Sequence, residues 1–225
     1  MFTGIVQGLC PVGKLIDERN IRRLTINLGK LGKGVQVGAS VAVNGVCLTV
    51  AQLADCMTSI NASKDASSDV TFDVIRESLD QTNLGDLVEG SMVNVERSVR
   101  VGDEIGGHIL SGHISGKAQI ASIETTENER NVHFDVPEQC MKYLHHKGFV
   151  ALDGASLTIA SVDAQANQIT VCLIPETIAR TTLGSAGIGD WINLEVDSQT
   201  QAVVDTVERV LSSPQWLARL SAAKA

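Results

Sequence analysis

The chain repeats itself, and this repeat constrains its fold more than any other feature. The segment Asn44–Val50 (NGVCLTV) returns as Asp153–Ile159 (DGASLTI), 109 positions later. The opening segment Thr3–Gly8 returns as Ser111–Gly116, 108 positions later, so the two matches share one register. Matches that keep their order and spacing indicate two copies of one structural unit.

A third block completes the repeat. Residues Ile75–Glu96 match Ile174–Glu195 with a shift of 99 positions, so the first copy carries ten extra residues between Val50 and Phe72. The polar stretch at 61–68 accounts for them and is predicted to be an exposed loop. With 225 residues, the chain is long enough for each copy to bury its own hydrophobic core.

Both copies show the alternation of apolar and polar residues that is typical of β-strands. The segments are RRLTINL, ASVAVNGVCLTV, VTFDVI and MVNVER in the first copy, and VHFDV, GFVALDGASLTI, QITVCLI and WINLEV in the second. Glycine-containing turns separate them, which favours a small antiparallel barrel in each copy. Only the tail differs: Thr200–Leu211 has apolar residues at helical spacing, and Pro214 ends the run. This helix either packs between chains or caps its own barrel.

The repeated strand carries the candidate chemistry. In the first copy the apolar side chains of Val46–Val50 share one face, while Cys47 and Thr49 share the other. Ser156 and Thr158 occupy the matching positions of the second copy. Each copy therefore presents one small nucleophile and one threonine, two residues apart, on the face that does not form the core. A neighbouring glycine leaves room for a ligand to approach the backbone.

Composition argues against several classes of protein. The net charge is -8, the pI is near 5.1 and aromatic residues make up 3% of the chain, which speaks against nucleic-acid binding. No run of about 18 apolar residues is present, and the first residues lack the pattern of a secretion signal, so we expect a cytoplasmic protein that does not enter membranes. The five cysteines form no CxxC pair, so we expect neither a disulfide framework nor a zinc site.

Seven segments, taken in order, resemble the riboflavin synthases, the lumazine-binding double-barrel family of the alpha-chain type. They are MFTGIVQG, NGVCLTV, TNLGD, DEIGGHILSGHI, KGFVALDGASLT, IPETIARTTLG and VDSQTQAVVDTVERVL, and they extend over nearly the whole chain. The resemblance implies an all-β fold of two tandem, homologous, six-stranded antiparallel Greek-key barrels. These would be residues 1–108 and 109–199, followed by a C-terminal oligomerisation helix and tail at 200–225.

The resemblance also implies an activity. Riboflavin synthases convert two molecules of 6,7-dimethyl-8-ribityllumazine into riboflavin and 5-amino-6-(ribitylamino)pyrimidinedione by moving a four-carbon unit, the last step of riboflavin biosynthesis. They are homotrimers that use no cofactor and no metal. The site that binds the two lumazines forms between the first barrel of one subunit and the second barrel of its neighbour.

Motif matching transfers the binding residues of the family onto this chain. Those expected in the first pocket are Phe2, Gly4, Ile5, Val6, Cys47, Leu48, Thr49, Asp73, Val74, Ile75, Arg76, Glu77 and Ser78. Those expected in the second are Gly112, His113, Ile114, Lys147, Ser156, Leu157, Thr158, Ile174, Pro175, Glu176, Thr177, Ile178 and Ala179, with Thr177 as a contact of the ribityl chain.

The reaction needs a nucleophile that adds to one lumazine and a base that removes a methyl proton from the other. Cys47, Ser156 or a held water is the candidate nucleophile. His113 is the candidate proton shuttle, because histidine titrates close to neutral pH. Thr49 and Asp197 are further catalytic candidates by family match. His108 is interpreted as a structural histidine, and two histidines five apart on a strand would face opposite sides, which disfavours a shared metal.

Two other functions compete with this interpretation. A lumazine antenna protein of luminous bacteria has the same fold and holds one fluorescent ligand without turnover, but such a protein has no need of polar groups in both copies. A flavoprotein reductase with a similar barrel would need a dinucleotide-binding unit, for which the tail is too short. The glycine-rich segment 29–34 (GKLGKG) lacks P-loop spacing and is predicted to be a connecting loop.

Overall fold

Two closed barrels of six antiparallel strands form most of the chain in a computed structural model that describes residues 1–54, 68–126 and 129–216. The predicted fold class is confirmed. Around each barrel the strands follow the same order, β1-β2-β5-β4-β3-β6 in the first and β7-β8-β11-β10-β9-β12 in the second. The loop predicted at 61–68 lies outside the described residues, apart from Ser68.

The strands of the first barrel are β1 (Gly8–Asp17), β2 (Ile21–Asn27), β3 (Ser40–Val43), β4 (Val46–Leu53), β5 (Asp69–Ile75) and β6 (Met92–Arg97). Those of the second are β7 (Gly116–Thr125), β8 (Arg130–Asp135), β9 (Phe149–Leu152), β10 (Ala155–Asp163), β11 (Gln168–Leu173) and β12 (Trp191–Val196). The α-helices are α1 (Arg76–Gln81), α2 (Glu138–Met141), α3 (Pro175–Arg180) and α4 (Ser198–Leu211). Short 3-10 helices lie at Gly29–Gly32, Asn83–Asp86 and Thr182–Gly184.

Each barrel encloses its own hydrophobic core. Phe72 and Ile26 are fully buried in the first, and Phe134 and Ile159 are fully buried in the second. The apolar side chains of β4 point inward as their alternation predicts, while Cys47 is half-buried. Because burying one large apolar side chain contributes roughly 1.5–3 kcal/mol, these cores fix the face that each strand presents outward.

The barrels meet through the two repeated hairpin turns. Asn44-Gly45 and Asp153-Gly154 all have positive φ, as a type I′ turn requires. The turns lie back to back, and a Cβ at Gly45 would come within 2.7 Å of the Gly154 nitrogen. The joint therefore has no space for a side chain at either glycine.

A buried polar network surrounds these turns, and Asp153 is its carboxylate. This side chain accepts hydrogen bonds from the Asn193 backbone nitrogen and Asn83 Nδ2, both at 2.8 Å, and from Thr182 Oγ1 at 3.3 Å. The Asn94 amide bridges from the first barrel to the Asp153 carbonyl at 2.8 Å. All these partners are neutral, so burial raises the pKa of Asp153 to about 7.

The neutral counterpart of Asp153 in the first copy is Asn44. Its Oδ1 accepts from the Asn94 backbone nitrogen at 2.8 Å, as Asp153 accepts from Asn193. Its Nδ2 donates to Asn83 Oδ1 at 3.2 Å. The two copies thus build the same joint, once with an amide and once with a carboxyl.

Helix α4 begins at Ser198, two residues before the predicted start, and Asp197 caps it by accepting from the backbone of Gln199 and Thr200. Val204 packs against the core of the second barrel, and Asp205 accepts a hydrogen bond from the Tyr143 hydroxyl at 2.6 Å. The helix therefore caps its own barrel. In the described ranges, no helix combines the length and the apolar character needed to cross a membrane.

Candidate functional site

Two short segments, residues 2–6 and 111–114, cross from one barrel to the other, and we call them the straps. The Gly4 carbonyl accepts a hydrogen bond from the Ser156 nitrogen at 2.8 Å, and the Gly112 carbonyl accepts one from the Cys47 nitrogen at 2.9 Å. Val6 belongs to the core of the second barrel, and Ile114 packs against that of the first. Each barrel is therefore completed by a strap from the other copy.

Glycine is required where each strap meets its strand. Gly4 has φ +74° and Gly112 has φ +83°, in the left-handed region. A Cβ at Gly4 would lie 2.5 Å from Cβ of Ser156, and one at Gly112 would lie 2.5 Å from Cβ of Cys47. Both separations are far shorter than van der Waals contact, so any side chain would push the strap away from the strand.

Two buried glutamates hold the straps in place. Glu96 accepts from the Thr3 nitrogen at 2.6 Å, from the Thr3 hydroxyl at 2.8 Å and from the Gly4 nitrogen at 3.0 Å. Glu195 accepts in the same way from Ser111, at 2.7 Å from both its nitrogen and its hydroxyl, and from the Gly112 nitrogen. Burial raises the pKa of both carboxyls, although these hydrogen bonds lower it. The glutamates fix the backbone on which each pocket depends.

The strap exchange corrects the grouping predicted from the sequence. Motif matching predicts residues 4–6 in the pocket of Cys47 and residues 112–114 in that of Ser156. The structure pairs them the other way, because Gly4 lies on Ser156 and Gly112 lies on Cys47. Each of the two candidate sites, one at Cys47 and one at Ser156, therefore combines residues of both copies.

The pocket of the second barrel is a cavity of about 140 Å³. It is lined by Gly4, Ile5, Val6, Ala155, Ser156, Glu176, Thr177, Arg180 and Thr181. The predicted ribityl contact Thr177 lies in this cavity, on α3. Arg180 forms an ion pair with Glu176 one helical turn away, and it was missed because the predicted segment stopped at Ala179. Ala155 and Thr181 were also absent from the prediction.

A histidine that the sequence analysis interpreted as structural contacts the candidate nucleophile. His108 Nδ1 lies 2.6 Å from Ser156 Oγ, and its ring stacks on Phe149 with centroids 5.1 Å apart. Burial lowers the pKa of His108, although the nearby Asp197 raises it, so the neutral ring is favoured near pH 7. A neutral ring that accepts the Ser156 proton at Nδ1 carries its own proton at Nε2, which is buried without a partner.

His113, the predicted proton shuttle, lies on the other strap. It follows Gly112 directly, which places it at the edge of the Cys47 pocket, and its side chain is exposed. Both histidines lie in the connection between β6 and β7 rather than on a strand, so the predicted strand geometry for this pair is wrong. Each pocket therefore has one histidine beside it: His108 at Ser156 and His113 at Cys47.

Around Cys47, the first barrel repeats the arrangement of the second. Thr49 is exposed on β4, as is its counterpart Thr158 on β10. Ile75 and Ile174 are exposed at 53% and 60%, each directly before the short helix that follows its strand. The two copies thus expose an isoleucine at equivalent positions, although Ile174 is not among the residues that line the cavity.

Several predicted binding residues turn their side chains elsewhere. Leu48 and Val74 are buried in the first core, and Leu157 packs against the second. Phe2 is 1% exposed and packs in a small cluster between the barrels with Cys47 at its margin. Because their side chains are buried in the cores or between the barrels, these residues can offer a ligand only their backbone.

Two charged candidates, Asp73 and Asp197, have structural partners, and a third, Lys147, lies outside the cavity. Asp73 forms an ion pair with Arg23 on the neighbouring strand at 3.1 Å. Asp197 caps α4; burial would raise its pKa, but its hydrogen bonds from Thr200 and Gln199 outweigh this and lower it. Lys147 has φ +64° in the turn before β9, outside the residues that line the cavity.

Comparison with known proteins identifies this double arrangement. A family model described as the lumazine binding domain matches residues 3–98 and 111–197, which are the two copies. The riboflavin synthase of Escherichia coli (strain K12) is 48% identical over 215 residues, covering 95% of this chain and 94% of the relative. That of Chlamydia pneumoniae is 43% identical over 214 residues, covering 95% and 98%.

Solved structures agree in fold. The crystal structure of LumP complexed with riboflavin superposes with a TM-score of 0.77 at 25% identity, covering 88% of this chain and all of the other. LumP complexed with 6,7-dimethyl-8-(1'-D-ribityl) lumazine gives a TM-score of 0.75 at 24% identity with the same coverage. Since the relatives match at high identity over nearly their whole length, the chain belongs to the riboflavin synthase family and consists of two lumazine-binding domains.

Proposed function

We propose that the protein is a riboflavin synthase. It transfers a four-carbon unit between two molecules of 6,7-dimethyl-8-ribityllumazine and yields riboflavin and 5-amino-6-(ribitylamino)pyrimidinedione, the last step of riboflavin biosynthesis. The observation that carries this proposal is the pair of equivalent strap contacts at Cys47 and Ser156, where each strand binds a strap from the other copy. A reaction between two identical molecules needs two such positions, whereas simple storage of one ligand needs one.

The size of the cavity supports a site shared between subunits. Ligand pockets commonly measure about 300–1,000 Å³, whereas the cavity at Ser156 measures about 140 Å³. A single chain therefore covers only part of a ribityllumazine, and the facing barrel of a neighbouring subunit would supply the rest. We propose a homotrimer in which the first barrel of one subunit faces the second barrel of the next.

Helix α4 offers the surface for this assembly. Its inner face binds its own barrel through Val204, while Val203, Val207 and Leu211 form an outer stripe with 50–64% of each side chain exposed. An apolar stripe of this kind on a helix is typical of a protein interface. The two roles that the sequence allows for this helix are therefore compatible: one face of α4 caps the barrel, and the other is free to pack between chains.

The two pockets differ in their reactive side chains, so each can carry out a different step of the reaction. Ser156 can pass its proton to neutral His108, which lies 2.6 Å away, and its oxygen can then add to an electron-poor carbon of one lumazine. Cys47 and His113 border the other pocket, where a methyl proton of the second lumazine would be removed. Holding both reactants in place can lower the barrier by roughly 7–11 kcal/mol without a cofactor.

We also propose that the protein works in the cytoplasm. The four described cysteines, Cys10, Cys47, Cys140 and Cys172, are free thiols. Such thiols persist in a reducing compartment.

The activity is tested with a single substrate. Purified protein mixed with 6,7-dimethyl-8-ribityllumazine alone should form riboflavin, seen by its absorbance, with one molecule of pyrimidinedione released for each riboflavin. Because no second reactant is supplied, this stoichiometry is specific to four-carbon transfer between identical molecules. Ligand that binds and is recovered unchanged would contradict the proposal and identify a lumazine antenna protein instead.

The assembly is tested on α4. Val207→Lys places a charge in the centre of the outer stripe and should convert trimers to monomers in sedimentation velocity, with loss of most activity. Ala202→Lys, on the side of the helix away from the stripe, is the matched control and should leave the trimer intact. A Val207→Lys protein that sediments like the wild type would exclude this interface.

A further inference from the structure

Four basic side chains of the first barrel surround a cavity of about 360 Å³ that lies outside the two lumazine pockets. They are Lys30, Lys33, Arg97 and Arg100. Within residues 1–54, 68–126 and 129–216, no carboxylate lies within ion-pair distance of any of them. The one acidic side chain in the lining, Asp103, accepts a hydrogen bond from the Arg100 backbone nitrogen at 2.7 Å. A cluster of unpaired cations is unexpected in a chain of net charge -8.

The guanidinium of Arg97 is held by backbone carbonyls and not by a carboxylate, so its positive charge is not neutralised. Its guanidinium donates to the carbonyls of Leu31 at 3.2 Å, Lys33 at 2.9 Å and Gly34 at 3.5 Å. These carbonyls satisfy its hydrogen bonds but carry no net charge. Burial and the neighbouring Arg100 lower the pKa of Arg97, yet a guanidinium stays protonated at neutral pH. Arg97 therefore braces the loop that carries Lys30 and Lys33 and adds a fixed positive charge beneath it.

The second barrel shows how this surface is neutralised when a partner is present. Lys142 is the counterpart of Lys33, since both lie in the turn that precedes the strand leading to the repeated hairpin. Lys142 Nζ forms ion pairs with Asp205 at 3.3 Å and Glu208 at 2.6 Å of helix α4. No described helix covers Lys33 on the first barrel in this way. The same surface is thus closed by carboxylates in one copy and open and basic in the other.

We propose that the pocket formed by Lys30, Lys33, Arg97 and Arg100 binds a phosphate group, either as free phosphate or as a small phosphate monoester. The four basic residues line one cavity, and ammonium and guanidinium groups are the side chains that recognise phosphate oxygens. The ribityllumazine of the proposed reaction carries no phosphate, so this pocket serves a different ligand. The cavity also has space for a small organic group beyond the phosphate.

This assignment revises the interpretation of the segment 29–34 as a plain connecting loop. The segment still lacks P-loop spacing, and its backbone is not the recognition element. Two lysine side chains from it, together with Arg100, would make the contact instead, and Arg97 adds its fixed positive charge. The positive charge at this position is specific to the first copy, because the residue equivalent to Arg97 in the second copy is Val196. This difference between the copies is what indicates a separate binding site.

The proposal is tested by isothermal titration calorimetry with inorganic phosphate and with glycerol phosphate at constant ionic strength. The wild type should bind one anion per chain, and Lys30→Gln/Lys33→Gln should bind it at least about tenfold more weakly, because charge-assisted hydrogen bonds are lost. The control Lys14→Gln/Arg19→Gln removes the same charge from exposed positions outside the pocket and should bind like the wild type. Tighter binding of glycerol phosphate would identify a monoester as the ligand, and the reverse would identify free phosphate.

Three results would overturn this assignment. They are the absence of saturable binding to the wild type, unchanged binding by Lys30→Gln/Lys33→Gln, and equal weakening in both double variants, which would reflect net charge alone. Circular dichroism of each variant establishes that it is folded. Since neither lysine borders a lumazine pocket, riboflavin formation by both double variants should equal that of the wild type.

Discussion

Gly112→Ala is expected to abolish turnover and to leave each chain with one usable lumazine pocket. The new methyl group would lie 2.5 Å from Cβ of Cys47 and 2.9 Å from its nitrogen, so the strap cannot keep its hydrogen bond to that strand. A displacement of about 1 Å at a reacting centre can lower a rate about a hundredfold, and here an entire wall of the pocket moves. Lumazine titration should show half of the wild-type binding capacity, and riboflavin formation should fall by about a hundredfold or more.

Gly4→Ala is expected to remove the other pocket by the same mechanism. Its methyl group would lie 2.5 Å from Cβ of Ser156. The matched control is Gly90→Ala, because Gly90 also has a positive φ, +88°, but has open space around it. Gly90→Ala therefore carries the backbone strain, about 1–2 kcal/mol, without the collision. Loss of activity in Gly90→Ala equal to that in the strap variants would contradict the steric explanation.

Mixing the two inactive variants should restore part of the activity. A Gly4→Ala subunit keeps its Cys47 pocket, and a Gly112→Ala subunit keeps its Ser156 pocket. If the first barrel of one subunit faces the second barrel of its neighbour, some interfaces of a mixed trimer contain two intact pockets. Subunit exchange followed by the riboflavin assay detects this complementation. A mixture as inactive as its parents would indicate that both pockets of one reaction belong to the same chain.

Much of the barrel architecture is predictable from local pattern. The alternation in β4 places Val46 and Val50 inside and Cys47 outside because side chains change face at every residue of a strand. The dipeptides Asn44-Gly45 and Asp153-Gly154 are typical of a two-residue hairpin turn. These signals depend only on near neighbours, which is why they are visible without a structure.

The first strand of each barrel was not delimited from its pattern. In β1 the register shifts between Val12 and Lys14, and in β7 it shifts between Ile120 and Ser122. A bulge inserts one residue and reverses the phase of the alternation. A strand that changes phase halfway shows no consistent period of two, so the alternation does not define where the strand begins and ends.

The exchange of straps between the barrels could not be predicted from the sequence, because the two copies are so similar. Thr3–Gly8 and Ser111–Gly116 have closely similar sequences, so either strap has the residues needed to pack on either barrel. The strap sequences alone therefore do not determine which barrel each strap packs on. The contact of His108 with Ser156 escaped for a related reason: it joins residues 48 positions apart across the two copies, and local sequence does not show which residues such a connection brings together.

The joint between the barrels leads to a prediction about pH. Asp153→Asn should stabilise the protein, and the gain should grow as the pH rises. The folded state raises the pKa of Asp153 from 3.8 to about 7, so the folded protein retains a proton that the unfolded chain has lost between these values. Stability that depends on this proton is present below pH 3.8 and is lost as the pH rises through 7. An asparagine has no proton to lose.

The geometry of the joint accommodates this substitution. An amide at residue 153 keeps an oxygen for Asn193 and Asn83 and places its nitrogen toward Thr182 Oγ1, as Asn44 places its nitrogen toward Asn83. Urea unfolding at fixed protein concentration, from pH 5 to pH 8, measures the effect. The free energy of unfolding of the variant, relative to the wild type, should increase by roughly 2–3 kcal/mol over this range.

The reciprocal substitution, Asn44→Asp, distinguishes the effect of a titrating carboxyl on stability from the effect of altered packing. Asn44→Asp introduces a second carboxyl at the equivalent position and faces its oxygen toward Asn83 Oδ1, so this variant should lose stability as the pH rises. Glu96 and Glu195 also have raised pKa values, and they add the same slope to the wild type and to both variants. The difference between proteins therefore isolates residue 153. If Asp153→Asn differs from the wild type by the same free energy at every pH, then Asp153 does not titrate in the folded joint, and the two barrels are held together independently of pH.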